Sequence, residues 1–373
     1  MANRLRNLIK IIVVFIFLYL FLVSIGLMGV AFKGFGKEFA ENLIRTTSDP
    51  LIGLFIGILT TSIVQSSSTV TSIVVGMVAS GVLTVSNAIP IVMGANIGTT
   101  VTGVLVSIGH FGRREEFRRA VAGGTLDGFF KIMCVCILFP LELSTGFLEK
   151  IATHMTCIFG TCSGVSFTSP VKLATQPAVH LIRDMFIGLF ASSQLSYVMM
   201  LSISLILLFA ALYVITKQMG SLVAKRAEIV LSNVIGRHGI LAIFVTMIFT
   251  AIIQSSSITI ALMIPLLAAG ILNVEAMYPL VMGANVGTTV TAILASLATG
   301  SIPALSVAFV HFIFNIIGVC FIYPIAILRR IPVFLSKSLG NIGFRKRRYV
   351  ILYVLVVFFI IPALLIMVSR LLK

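Results

Sequence analysis

Long apolar runs separated by short basic clusters organise this chain of 373 residues. No Asp, Glu, Lys or Arg lies between Asp49 and Arg113, and only Glu275 lies between Arg237 and Arg329. Each stretch has room for several membrane spans of about 20 residues. Runs at 8–32, 88–109, 119–141, 191–216, 278–298, 304–328 and 349–369 predict seven transmembrane helices. Two further blocks, 51–82 and 239–272, are apolar but carry a polar centre: Gln65-Ser66-Ser67-Ser68 in one and Gln254-Ser255-Ser256-Ser257 in the other. Each block predicts a helical hairpin that enters and leaves the membrane on one side and turns at the polar motif. Backbone groups freed at such a turn are tolerated only where they line a cavity or are buried in protein.

Composition removes the soluble alternative. The chain is 59% hydrophobic and 10% charged, far from the globular average. Its first apolar run is too long for the core of a signal peptide, and Ala31-Phe32-Lys33 offers no small-residue cleavage site. The formal net charge of +16 would suggest nucleic acid in a soluble protein. Here the cations sit between apolar runs and act as orientation signals, so no nucleic-acid partner is expected.

Placing the basic clusters 4–10, 113–119, 217–237 and 329–348 in the cytoplasm traces the chain. The hairpin at 51–82 then enters from outside and the hairpin at 239–272 from the cytoplasm. The expected fold is an all-α polytopic membrane protein of two inverted repeats, each a re-entrant hairpin plus transmembrane helices. The segments are an N-terminal helix and external segment (1–49), repeat 1 (50–141), an external Cys-containing loop with a linking transmembrane helix and a cytoplasmic basic segment (142–237), repeat 2 (238–328), and a basic loop with a last helix (329–373). Such a chain belongs in the plasma (inner) membrane as a multi-pass protein.

The repeats are visible in the letters. From Gln65 to Thr102, 19 of 38 positions are identical to those 189 residues further on, without a gap. Each polar tetrad is followed by Pro-x-Val-Met-Gly-Ala-Asn-x-Gly-Thr-Thr-Val-Thr or its near match, which holds Asn96, Thr99 and Thr100 in one copy and Asn285, Thr288 and Thr289 in the other. Small and hydroxylated residues are common at helix contacts within membranes, but two copies in register, each tied to the same second motif, point beyond packing. The start of a returning half-helix is a ready anion site, and hydroxyl and carbonyl oxygens suit an alkali cation. Neither motif block contains Arg or Lys. A desolvated dianion without a fixed cation is costly, so bound cations entering with it would offset the cost and couple the two.

Cys157 and Cys162 lie in the predicted external loop, where a disulfide can persist; two free thiols are the alternative. Cys134, Cys136 and Cys320 lie in apolar spans and pack as small hydrophobes. An intramembrane hydrolase using a serine with His311 and Asp127 is weakened by the lack of a Gly-x-Ser-x-Gly elbow. The expectation is therefore a transporter, not an enzyme; a passive channel is the other membrane reading.

These residues closely resemble the type II sodium–phosphate cotransporter family, whose hallmark is a duplicated QSSS motif followed by G-A-N-x-G-T-[ST]. The resemblance covers roughly 50–141 and 239–369 and suggests a short, bacterial-type member. It implies symport of inorganic phosphate with sodium by alternating access and no cofactor beyond the co-transported sodium ions. Another tetrahedral oxyanion such as sulfate or arsenate is the alternative substrate. It also implies that the two tetrads form opposite walls of the site and that Asn96, Thr99, Thr100, Asn285, Thr288 and Thr289 complete it. The sodium ligands are not assigned individually. The family's H-x-F-F-N-like element is kept as His311-Phe312-Ile313-Phe314-Asn315, but its first copy reads Asp127-Gly128-Phe129-Phe130-Lys131. Asp127 and Lys131, at i,i+4 spacing, face one another and can neutralise each other. Electrogenic members carry Asp at the position of Gly128, so Gly128 implies electroneutral transport.

Overall fold

A computed structural model describes residues 2–157, 169–190, 192–234 and 239–371. The described residues form helices joined by short connections, with no strand. The first is α1 (Ala2–Gly34), followed by the short α2 (Lys37–Thr46). Asp49 then accepts a hydrogen bond from the Leu51 N–H and Pro50 occupies the first turn, starting α3 (Pro50–Val64). Next come α4 (Ser67–Ser80), α5 (Val85–Gly98), α6 (Thr100–Ile108), the long α7 (Arg114–Thr145) and α8 (Phe147–Thr156). Two helices connect the halves, α9 (Pro170–Leu189) and α10 (Ser193–Val234). The second half runs through α11 (Gly239–Ile253), α12 (Ser256–Ala268), α13 (Val274–Gly287), α14 (Thr289–Thr299), α15 (Ile302–Ile322) and α16 (Ala326–Arg345). It closes with α17 (Arg348–Leu355), a π-helical turn at Val356–Ile360 and α18 (Ile361–Leu371).

Six stretches are long and apolar enough to cross a membrane: Leu5–Gly34, Val85–Ile108, Ser193–Leu222, Val274–Thr299, Ile302–Ile322 and Arg348–Ser369. Each overlaps a span expected from the hydropathy pattern. The seventh expected span, 119–141, is the middle of α7. A bent pair, α2 with α3, meets at 97° and is a further candidate. The protein is thus a multi-pass membrane protein, helical throughout its described secondary structure. The helices α3, α4, α11 and α12 have 15, 14, 15 and 13 residues. At 1.5 Å per residue each is about 20–23 Å long, short of the roughly 30 Å hydrocarbon core.

The packing comes in exchanged pairs. Helix α3 packs on α5 as α11 packs on α13, and α6 packs on α7 as α14 packs on α15. Across the halves, α4 packs on α14 as α12 packs on α6, and α4 on α15 as α12 on α7. The α3–α5 and α11–α13 contacts are backbone to backbone: a Cβ on Gly94 would run into the Leu54 carbonyl, and one on Gly283 into the Ile243 carbonyl. Gly94→Ala is therefore expected to cost about 1–3 kcal/mol through overpacking, read as a lower unfolding midpoint in detergent.

Several contacts join segments placed in the cytoplasm by their charge. Lys337 pairs with Glu275, Arg118 reaches Asn341 at 3.4 Å, Arg347 donates to the Gly112 carbonyl at 3.2 Å, and Lys10 donates to Ser221 at 2.8 Å. Other contacts join segments placed outside: Asn87 donates to Thr47 at 3.2 Å, and the hydroxyls of Thr156 and Ser306 lie 3.4 Å apart.

Two expectations are corrected. The segment 329–348, read as a basic loop, is largely the helix α16, which packs along α7. The portion between the repeats is not only loop and one span, because α8 and the 20-residue α9 are helical as well. Both α9 and α16 are too polar on one side to register as spans, and their charges resemble connecting sequence. Cys134, Cys136 and Cys320 are free thiols. The expected Cys157–Cys162 pair depends on Cys162, which lies outside the described residues.

Candidate functional site

The two polar tetrads converge. Gln65 ends α3 with φ 60°, and Gln254 follows α11 with φ 65°; they are the two non-glycine residues with positive φ among the described residues. That left-handed turn reverses the chain so that Ser66 and Ser255 become N-caps of α4 and α12. Ser66 Oγ accepts from the Thr69 N–H at 3.2 Å and Ser255 Oγ from the Ile258 N–H at 3.3 Å.

Both helix N-termini face one cavity of about 350 Å³. It is lined by Gln65, Ser66, Ser67 and Ser68 of one half and Gln254, Ser255, Ser256 and Ser257 of the other, together with Thr69, Thr102 and Thr288 and with Phe209, Leu212, Tyr213 and Thr216 of α10. The halves touch where Ser68 Oγ and Thr288 Oγ1 lie 3.1 Å apart. The hydroxyls of Ser67, Ser256 and Ser257 make no hydrogen bond to described protein atoms. The first amides of α4 and α12 have no acceptor within their helices. No charged side chain lines the cavity. Two positive helix ends and several free hydroxyls in an uncharged pocket can hold a small anion and, on its oxygen atoms, hard cations.

The glutamine amides brace the turns. Gln65 Nε2 donates to the Ser62 carbonyl while its Oε1 accepts from Thr102 Oγ1 at 2.8 Å. Gln254 Nε2 donates to the Ala251 carbonyl at 3.1 Å. Thr291, the counterpart of Thr102, is buried with its hydroxyl unpartnered. Thr102 was absent from the residues singled out by sequence, although it closes the repeated motif. The α10 residues lie outside both repeats and carry no sequence signal for this place.

The remaining expected residues lie behind the wall rather than on it. Thr100 and Thr289 donate back to the preceding helices, α5 and α13, at Ile97 O and Val286 O, both at 2.7 Å. Asn96, Thr99 and Asn285 are buried and belong to a separate polar network. In it Lys131 Nζ donates to Thr99 Oγ1 and to Asp127 Oδ2, each at 2.7 Å. Asn285 Nδ2 donates to Asp127 Oδ1 at 2.7 Å, and Asn96 Oδ1 lies 3.1 Å from His311 Nε2. Asn315 Nδ2 donates to the His311 carbonyl at 2.9 Å. Gly128 packs on Thr100, and a Cβ there would collide with the Thr100 side chain. Each motif asparagine therefore bonds to the long helix of the opposite half.

A family model described as Na+/Pi-cotransporter matches residues 20–161 and 206–329. Sodium-dependent phosphate transport protein 2B of Homo sapiens is 32% identical, over 95% of this chain and 64% of that protein. Sodium-dependent phosphate transport protein 2A of Rattus norvegicus is 32% identical, over 96% and 67%. The 2B protein of Bos taurus is 34% identical, over 95% and 64%. The chain thus spans about two thirds of the length of these relatives. No solved structure matches it.

Proposed function

The chain belongs to the Na+/Pi-cotransporter family, and we propose that it carries inorganic phosphate across the plasma (inner) membrane in symport with sodium. The observation that carries this reading is the convergence of both tetrads on one uncharged cavity. Phosphate would sit against the N-termini of α4 and α12, held by amide N–H groups and serine hydroxyls. With no fixed cation in the wall, the dianion needs mobile ones beside it. Sodium on the hydroxyl and carbonyl oxygens meets that need, so neither ion binds well alone.

The repeats are inverted and their hairpins re-entrant in this reading. The open end of α3–α4 lies by Thr47 and Asn87, among segments placed outside. The open end of α11–α12 lies by Glu275 and Lys337, among segments placed inside. Their tips nonetheless share the cavity, as expected of hairpins entering from opposite faces. The repeats correspond to 50–141 and 238–328, with 1–49, 142–237 and 329–373 around them. Alternating access follows from unequal use of equivalent contacts: Gln65 accepts from Thr102, while Thr291, the matching partner of Gln254, is unbonded. Exchanging such contacts between halves would expose the site to the other side.

Uptake of labelled phosphate into proteoliposomes tests the reading. An inward sodium gradient should drive accumulation, while potassium or proton gradients should not; failure of sodium to drive it rejects the assignment. Because Gly128 supplies no carboxylate and has no room for one against Thr100, and the neighbouring Asp127 carboxylate is held by Lys131, about two sodium ions accompany divalent phosphate. An inside-negative potassium-diffusion potential should therefore leave the rate unchanged. Marked acceleration would refute electroneutral transport.

A further inference from the structure

The two halves build the same buried contact with different chemistry. By the register of their motifs, Asn96 matches Asn285, Thr99 matches Thr288, Asp127 matches His311 and Lys131 matches Asn315. The bonds agree with that register, because Asn96 meets His311 as Asn285 meets Asp127. In the second half the network is neutral in composition and holds an unpartnered buried oxygen, Asn315 Oδ1. In the first half the equivalent position is an ammonium whose side chain is 1% exposed. It is bound to a carboxylate and to the Thr99 hydroxyl. A second free oxygen, Asn285 Oδ1, is carried by the amide bonded to Asp127.

The carboxylate and hydroxyl oxygens that hold this buried ammonium are of the kind a hard metal cation takes as ligands. We propose that the Lys131 ammonium is a built-in counter-cation standing where a co-transported sodium would otherwise bind, so that the chain moves one sodium fewer per phosphate than it would with a neutral residue at 131. This inference rests on the sodium-coupled reading of the cavity. Thr99 sits at the break between α5 and α6 behind the cavity wall, and its counterpart in the other half, Thr288, lies on that wall. A purely structural role is a poor account of the pair. Two apolar side chains of similar volume generally pack at no greater cost than a buried ion pair, and ionisable residues inside membrane helices mark ion pathways.

The test is Lys131→Asn, which puts at 131 the amide found at 315. Sodium and phosphate fluxes are measured together in proteoliposomes for the original chain and the variant, with radiolabels for both ions. Removing the ammonium leaves Asp127 charged in the empty carrier, and sodium now fills the vacated place. The sodium-to-phosphate ratio should rise by one, and inside-negative voltage should now accelerate uptake. One further charge multiplies the attainable accumulation by roughly 50-fold at 100 mV. If transport is too slow to measure, equilibrium sodium binding decides, with one additional ion per chain expected in Lys131→Asn and none in Asp127→Asn/Lys131→Asn. An unchanged ratio, unchanged sodium binding, or a variant that aggregates in saturating sodium while the double variant folds overturns the proposal. Absence of sodium-driven uptake by the original chain rejects the cavity reading itself.

Discussion

Sodium-driven phosphate uptake should fall roughly tenfold or more when either Gln65 or Gln254 is replaced by Ala, and Gly at the same positions should restore none of it. Both glutamines hold φ near +60°, a conformation that costs a non-glycine residue about 1–3 kcal/mol. Glycine would relieve that strain, so the turn geometry alone would favour Gly at both tips. What glycine lacks is the amide. Gln65 uses its two ends at once, holding the end of α3 through Ser62 and the α6 hydroxyl of Thr102. Losing one such contact in a binding wall is worth about 1.5 kcal/mol, or about tenfold. The two substitutions thus separate backbone from side chain: Gln65→Gly should unfold at a higher temperature than Gln65→Ala, yet transport no better. Near-normal uptake by the Gly variants would reduce the amides to turn supports. Membrane insertion and a monodisperse elution profile serve as controls.

Much of this architecture is legible in the chain because lipid imposes a strict pattern. The six candidate spans coincide with the hydropathy runs, and the tetrads fall at helix ends because an apolar block with a polar centre has few other uses in a membrane. The i,i+4 pairing of Asp127 with Lys131 was equally readable, since it depends on one helix alone. The bonds from Asn285 to Asp127 and from Asn96 to His311 could not be read this way. They join helices of different halves, and the sequence register only relates the residues as equivalents. Nor could spacing distinguish Thr288, which reaches the cavity, from Thr289, which turns back to Val286. Adjacent helical residues differ by about 100° in direction, so which of two threonines faces the site depends on how the half-helices are rotated. Helix α16 was missed for a different reason: its basic residues favour the cytoplasmic surface whether the backbone there is helix or loop.

Replacing Asp127 alone by Asn should destabilise the protein by about 3–5 kcal/mol, the usual cost of leaving one member of a buried ion pair uncompensated. Asp127 serves two neighbours, with Oδ2 on Lys131 Nζ and Oδ1 on Asn285 Nδ2. An amide can keep one of these bonds through its oxygen, but it cannot neutralise the ammonium. Lys131 would then be a buried cation with Thr99 as its remaining partner of the two. Adding Lys131→Met removes that charge with a side chain of comparable length, so most of the loss should be recovered in the double variant. Unfolding midpoints of the three proteins in one detergent, at equal sodium, measure the difference. Sodium supplies the sign test. It should stabilise Lys131→Asn, where an anionic carboxylate is left without its counter-cation, but give Asp127→Asn no such rescue, because a second cation would meet the Lys131 charge. Equal stabilisation of both variants by sodium would show that the ion acts elsewhere, and that this pair is structural.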